Sequence, residues 1–380
     1  MRVGAFVLAA QFPGQEQQEP LHRAVRTAQA AEDAGLDAVW LAEHHFVPYG
    51  VCPSAVTLAG LLLGRTQRIT VGTAVSVLST CHPVALGEQA ALLHIVSGGR
   101  FSLGVGRGGP WVDLEVFGGG AQAYERQFPE ALDLLLRWLR SDRVGADGER
   151  YRFREVPVVP RATAPGGAAP EVLVACTSLS SVRLAAERGL PMLLGMHCGD
   201  EEKARMVAAW RAAALAAGHP PEEVARAGHV SAGVVQVADT REEARRTLLR
   251  AMPGWLRQGL AAHVTVDGRA RTMRDPEGYA EELCRLHPVG PPRYCADRLA
   301  ATAEATGIRR FALLLEGAGT TAATLANVQR LGAEVLPLLP HDGEERQHTT
   351  SRGEPRPAVG RPRRPRPEEQ LSSPVAPASG

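Results

Sequence analysis

Alternation is the feature that most limits what this chain can fold into. Short apolar runs rich in Val, Leu and Ala recur along it, and between them lie stretches with helical apolar spacing. VGAFVLA (3–9), DAVWLAE (37–43), RITVGTAV (68–75), RFSLGVG (100–106), EVLVACT (171–177), PMLLG (191–195), HVSAGVVQVA (229–238) and RFALLLEG (310–317) read as strands. The intervening helices are expected at 21–35, 54–66, 82–99, 124–141, 179–189, 200–217 and 240–258, with a last one after the final strand. Gly35 closes the first, and Pro83 sits at a helix start, where its missing N–H costs nothing. Strands covered by helices on their outer face run almost continuously apolar, and strands each separated by a helix must lie parallel. The expectation is an α/β fold, a closed (β/α)8 TIM barrel over 1–340, with an inserted hairpin or extended loop, YRFREVPVVP (151–160), after strand 4.

Composition supports one large core and excludes several functions. Of 380 residues 44% are hydrophobic, and the net charge of +1 offers no general attraction to nucleic acid or a membrane surface. The first apolar run is about seven residues, too short for a secretory core or a membrane span. Six scattered cysteines without a C-x-x-C pair suit a reducing cytoplasm and no zinc or other metal site. Residues 341–380 are dominated by Pro, Arg, Gly, Glu and Ser, cannot build a core, and read as a disordered tail.

In a barrel of this kind the chemistry sits at the C-terminal strand ends. Strand two delivers Glu43, His44 and His45 there, in WLAEHHF. The cluster has three readings: a metal site, a packing or capping feature, or an acid/base and hydrogen-bonding site beside a cofactor, since neutral imidazole both donates and accepts near pH 7. Strand three brings Thr73, Ser76, Ser79, Thr80 and His82. Strand four ends in GVGRGGPW, where glycines let backbone approach a ligand and Arg107 adds a planar, permanent cation. Strand five ends in ACTSLSS, in which Thr177, Ser178, Ser180 and Ser181 open a helix with hydroxyls and free amides, a seat for phosphate. No G-x-x-x-x-G-K-[ST] is present, so the phosphate would not be held by a P-loop. Ala9, Gln11, Val75, Gly106, Trp111 and Met196 would face a roomy, mostly apolar pocket.

The segments GLDAVWLAEHHFVPYGV (35–51), ITVGTAVSVLSTCHPVALGEQAALLHIVSGGRFSLGVGRG (69–108), VFG (116–118) and AAERGLPMLL (185–194) resemble the bacterial luciferase-like flavin monooxygenases, and among them the luciferase alpha-subunit branch. The resemblance spans about residues 1–340. It implies a barrel that binds reduced FMN (FMNH2) at its C-terminal mouth, with His44 near the reaction centre and a non-proline cis peptide, Ala74–Val75, against the flavin ring. It places Gly106, Arg107, Cys176, Thr177, Ser178 and Ser180 about the flavin and its phosphate, and His45, His82, Trp111 and Met196 about the pocket. The alpha chain carries a cysteine where Gly106 stands and an acid at Cys176; the first difference implies open space beside the flavin. It further implies a homodimer packed through the second and third helices with Glu88 facing the partner, a separate flavin reductase, and a lid at 264–290, here shortened, which argues against light emission. The implied chemistry is O2 addition at flavin C4a and oxidation of a lipophilic organic substrate by the resulting (hydro)peroxyflavin. The alternatives are an F420-dependent oxidoreductase of the same fold and a non-catalytic flavin-binding subunit.

Overall fold

A computed structural model describes residues 1–163, 167–269 and 274–340. The expected disordered tail, 341–380, lies outside the described residues. Eight strands form the centre: β1 Arg2–Val7, β2 Ala38–Leu41, β3 Thr70–Thr73, β4 Phe101–Gly106, β5 Glu171–Cys176, β6 Met192–Leu194, β7 Val230–Val234 and β8 Arg310–Leu314. Each pairs in parallel with the next, and β1 pairs with β8, so the ring closes and leaves no sheet edge.

Period-two alternation sorts the side chains. Val3, Ala5, Val7 and Ala9 are fully buried against the outer helices, whereas Phe6 and Leu8 point into the barrel. The interior is filled in layers. At the N-terminal mouth Arg310 makes a bidentate pair with Glu171, 2.6 and 2.8 Å, and the Ser102 hydroxyl donates to the same carboxylate at 3.4 Å. Above it Trp40 spans the lumen and packs with Leu173, Leu193, Val230 and Ala312. Its ring fits only because Gly72 faces it: a Cβ there would lie 2.5 Å from Trp40 Cζ3. Above Trp40 the lumen opens into a cavity.

The helices start where side chains cap them. Ser54 accepts from the Thr57 amide, Ser178 from Ser181, Thr240 from Glu243 and Thr320 from Ala323. Of the two forms expected for the insertion after strand 4 the hairpin is the one adopted, and two further stretches differ from the sequence expectation. The insertion after strand 4 is an antiparallel hairpin, Arg143–Asp147 with Arg152–Pro157. The strand expected at 229–238 breaks, and its second piece, Gln236–Val237, leaves the barrel to pair with Val289–Gly290. The segment expected as a lid contains a helix, Pro276–Leu286, and another helix, Pro292–Thr306, precedes β8. Both open with proline in the first turn, a start signal that composition alone underweights. No helix of the described residues is long and apolar enough to cross a membrane.

Candidate active site

The cavity above Trp40 has a volume of about 520 Å³, within the range of small-molecule sites. Its walls come from the C-terminal ends of the barrel strands and the loops after them: Phe6 and Leu8 at the end of β1, His44, His45 and Tyr49 after β2, Ala74, Val75 and Val77 after β3, Gly108, Gly109, Trp111 and Asp113 after β4, Thr177 after β5, Met196 and His197 after β6.

β2 ends at Leu41, so the acid and histidines emerge into this mouth and are not sealed in the core. Their roles then separate. Glu43 is a structural tie: one carboxylate oxygen accepts from the Ala55 amide at the start of the second helix, the other from the Val77 amide, both at 3.0 Å. His45 Nε2 lies 3.6 Å from Glu43, and its ring meets the edge of Phe117. His44 packs against Gly50 and meets Tyr49 edge-on at 5.2 Å. Its Nδ1 is buried without a partner, which leaves Nε2 as the nitrogen open to the cavity. Burial, then the charges of His263 and His45, push its pKa down to about 3, so the imidazole is neutral at working pH. Among the described residues no three His, Cys, Asp or Glu side chains converge to hold a metal.

The peptide Ala74–Val75 is cis, and both residues line the cavity. Gly106 does not open space there. A Cβ at Gly106 would sit 2.6 Å from Val75 Cγ2, so Val75 fills the volume that the glycine leaves. Gly108, in the left-handed region at φ +73°, carries the loop back over Val77. Trp111 folds onto Gly109 and lies 4.8 Å from the His263 ring. The same loop is stitched to the segment after the helix Arg241–Ala261: the Val112 amide donates to Val264 and the Val266 amide to Pro110, at 2.8 and 2.9 Å. The start of the expected lid thus lies across the mouth; residues 270–273 within it are outside the described residues.

Arg107 and the hydroxyl-rich turn follow adjacent strands: β4 and β5 pair up to Val105 opposite Val174, and the strands end at Gly106 and Cys176, one residue before Arg107 and Thr177. Thr177 and Ser180 are exposed, Ser178 caps the helix Leu179–Glu187, and its hydroxyl lies 2.8 Å from that of Ser180. The amides of Leu179 and Ser180 open that helix without intrahelical acceptors.

Several expected positions fall elsewhere. The Cys176 thiol points into the core toward the Val174 and Ser181 carbonyls, and burial pushes its pKa up to about 12; only its backbone belongs to the rim. His82 is exposed and caps the helix Pro83–Val96 through Val84, away from the cavity. Ala9 is sealed behind β1, and Gln11 bonds to Gln15, because inward positions there are even-numbered. Met196 and Trp111 do line the cavity.

The cavity also holds Tyr49, Asp113, His197 and His263. The strand-end rule applied to β6 points to His197; nothing local marks His263, which arrives from the far end of a helix. Burial lowers the pKa of His197 and His263 and raises that of Asp113.

The pattern of the luciferase-like monooxygenases matches residues 1–310. The chain belongs to that family. The alkanal monooxygenase alpha chain of the Kryptophanaron alfredi symbiont is 29% identical, with 89% of this chain and 98% of that one covered. Among solved structures, monooxygenase RslO1 from Streptomyces bottropensis superimposes with a TM-score of 0.76 at 23% identity, covering 89% and 99% of the two chains. The oxygenating constituent of 3,6-diketocamphane monooxygenase from Pseudomonas putida, a type II Baeyer–Villiger enzyme in complex with FMN, gives 0.71 at 22% identity, covering 90% and 99%. At these identities the two structures speak for the luciferase-like barrel itself.

Proposed function

We propose that this chain is the oxygenase of a two-component system that takes reduced FMN from a separate reductase and, with O2, oxidises a small, mostly apolar organic substrate. The observation that carries the reading is one continuous rim. His44, the Ala74–Val75 peptide and Thr177 line one cavity at the C-terminal mouth, and Arg107 and the rest of the 177–181 turn follow the adjacent ends of β4 and β5.

The donor set fits a flavin phosphate. Arg107, the Thr177 and Ser180 hydroxyls and the two free helix amides offer positive charge and N–H groups, and Glu43, the acid nearest the β2 end, has both oxygens taken by backbone amides. The apolar walls, Phe6, Leu8, Val75, Leu193 and Met196, suit a flat ring system. Bound there, reduced flavin would supply the electrons that activate O2. The protein's own residues do the rest. His44, neutral and open through Nε2, can accept or deliver a proton at the reacting centre. Trp111, His263 and the 264–266 strap shield the mouth from water.

Leu61, Leu92 and Val96 are exposed on the second and third helices beside Glu88, which supports a homodimer through that face. The cofactor reading is tested by anaerobic titration with reduced FMN and with reduced F420. Saturable binding of FMN is expected; tighter binding of F420 would overturn the assignment in favour of a deazaflavin oxidoreductase.

A further inference from the structure

We propose that Tyr124 is a positioning residue for the anion seat, holding the Arg107 guanidinium at the rim before the ligand arrives. This rests on the flavin reading above. Arg107 follows Gly106 and precedes Gly108 and Gly109, a loop that does little to restrain a long side chain. The guanidinium is nonetheless fixed. Its central carbon lies 3.9 Å from the centre of the Tyr124 ring, and Nη2 donates to the Tyr124 hydroxyl at 3.0 Å. Stacking and a hydrogen bond from one residue constrain both the plane and the rotation of the group.

The cation is half-buried, and among the described residues it makes no ion pair. Among the described residues its side chain makes no hydrogen bond other than that to Tyr124, so the remaining N–H donors are available to an incoming anion. A charge held this way lacks a counter-ion among the described residues, and a phosphate on the 177–181 turn after the adjacent strand would provide one.

The backbone under Tyr124 is specialised for the task. Ala123–Gln127 is a π-helical turn running into the helix Phe128–Arg140, and Pro129 has no N–H for the Glu125 carbonyl, which loosens the ladder there. The extra residue rotates everything before it by about 100° relative to the amphipathic helix that follows. Ala123 stays in the core, its carbonyl accepting from Ser79 Oγ at 3.4 Å, while Tyr124 turns to the rim.

The test compares reduced FMN with reduced riboflavin, which lacks the phosphate, by anaerobic calorimetric titration of the full chain. In Tyr124→Phe, FMN affinity is expected to fall about three- to tenfold, and in Tyr124→Leu further, with riboflavin affinity unchanged. Because Tyr124 acts through Arg107, the double variant Arg107→Lys/Tyr124→Phe should bind FMN no more weakly than Arg107→Lys alone. Equal losses for both flavins, no loss, or additive losses in the double variant would overturn the proposal while leaving the flavin reading intact. A wild-type chain without preference for FMN over riboflavin would remove both.

Discussion

Lowering the pH should unfold this protein through three histidines that the fold keeps neutral. Burial, reinforced by nearby cationic and imidazole groups, pushes His44 and His287 down to about 3 and His229 to about 4. The geometry agrees for His229. His229 Nδ1 accepts the Met192 amide at 3.0 Å, so a proton there would destroy an acceptor. At His287 the bond from Nε2 to the Met196 carbonyl, 2.6 Å, works against the shift, and burial and the Lys203 charge outweigh it. The unfolded chain binds these protons near pH 6.5, the folded chain only well below, so the native state is favoured above about pH 7 and loses stability as pH falls. At about pH 5 the unfolded state is protonated and the folded one is not, which costs about 2 kcal/mol per histidine and about 6 kcal/mol in all. The figure barely depends on whether the folded value is nearer three or four. It is comparable with the total stability of an ordinary domain, about 5–15 kcal/mol. Urea unfolding followed by tryptophan fluorescence from about pH 7.5 to about pH 5 should show this fall. Each of His229→Gln and His287→Asn should remove about a third of it, measured against its own stability at the upper pH. A flat profile, or variants with the wild-type slope, would refute the reasoning.

His44→Ala should lower product yield by about 10²–10⁴-fold if Nε2 exchanges a proton at the reacting centre, while reduced-FMN affinity stays within a factor of a few; an unchanged yield would reject the role. Gly106→Ala should cost about 1–3 kcal/mol in thermal or denaturant unfolding, because its Cβ meets Val75 Cγ2 at 2.6 Å. The second substitution Val75→Ala should restore most of that loss, and failure to do so would show that the strain lies elsewhere.

The barrel was legible because its signal is local. Continuous apolar strands and helical spacing are properties of neighbouring residues, and so are Ser and Thr at helix starts and glycines after β4. These sufficed to bring the strand-end loops that carry His44, Arg107 and Thr177 to one end of the barrel. The helix Pro276–Leu286 was harder to read, since it lies in the stretch 264–290 that the resemblance suggested as a lid, and Pro292–Thr306 follows directly on a run interrupted by proline and glycine.

What each rim residue does was decided only in three dimensions. Glu43 looks like an acid for catalysis until its oxygens are seen on the amides of Ala55 and Val77. Cys176 stands one residue from Thr177 yet faces the core, because alternation along a strand sends neighbours to opposite sides. His263 joins Trp111 and Tyr49 although far from both in sequence, and Tyr124 finds Arg107 through a helical irregularity. The chain's own order therefore determined the barrel and which loops share a mouth. Packing between loops from different strands determined which polar groups are spent on structure and which stay free, and sequence periodicity carries no record of such long-range contacts.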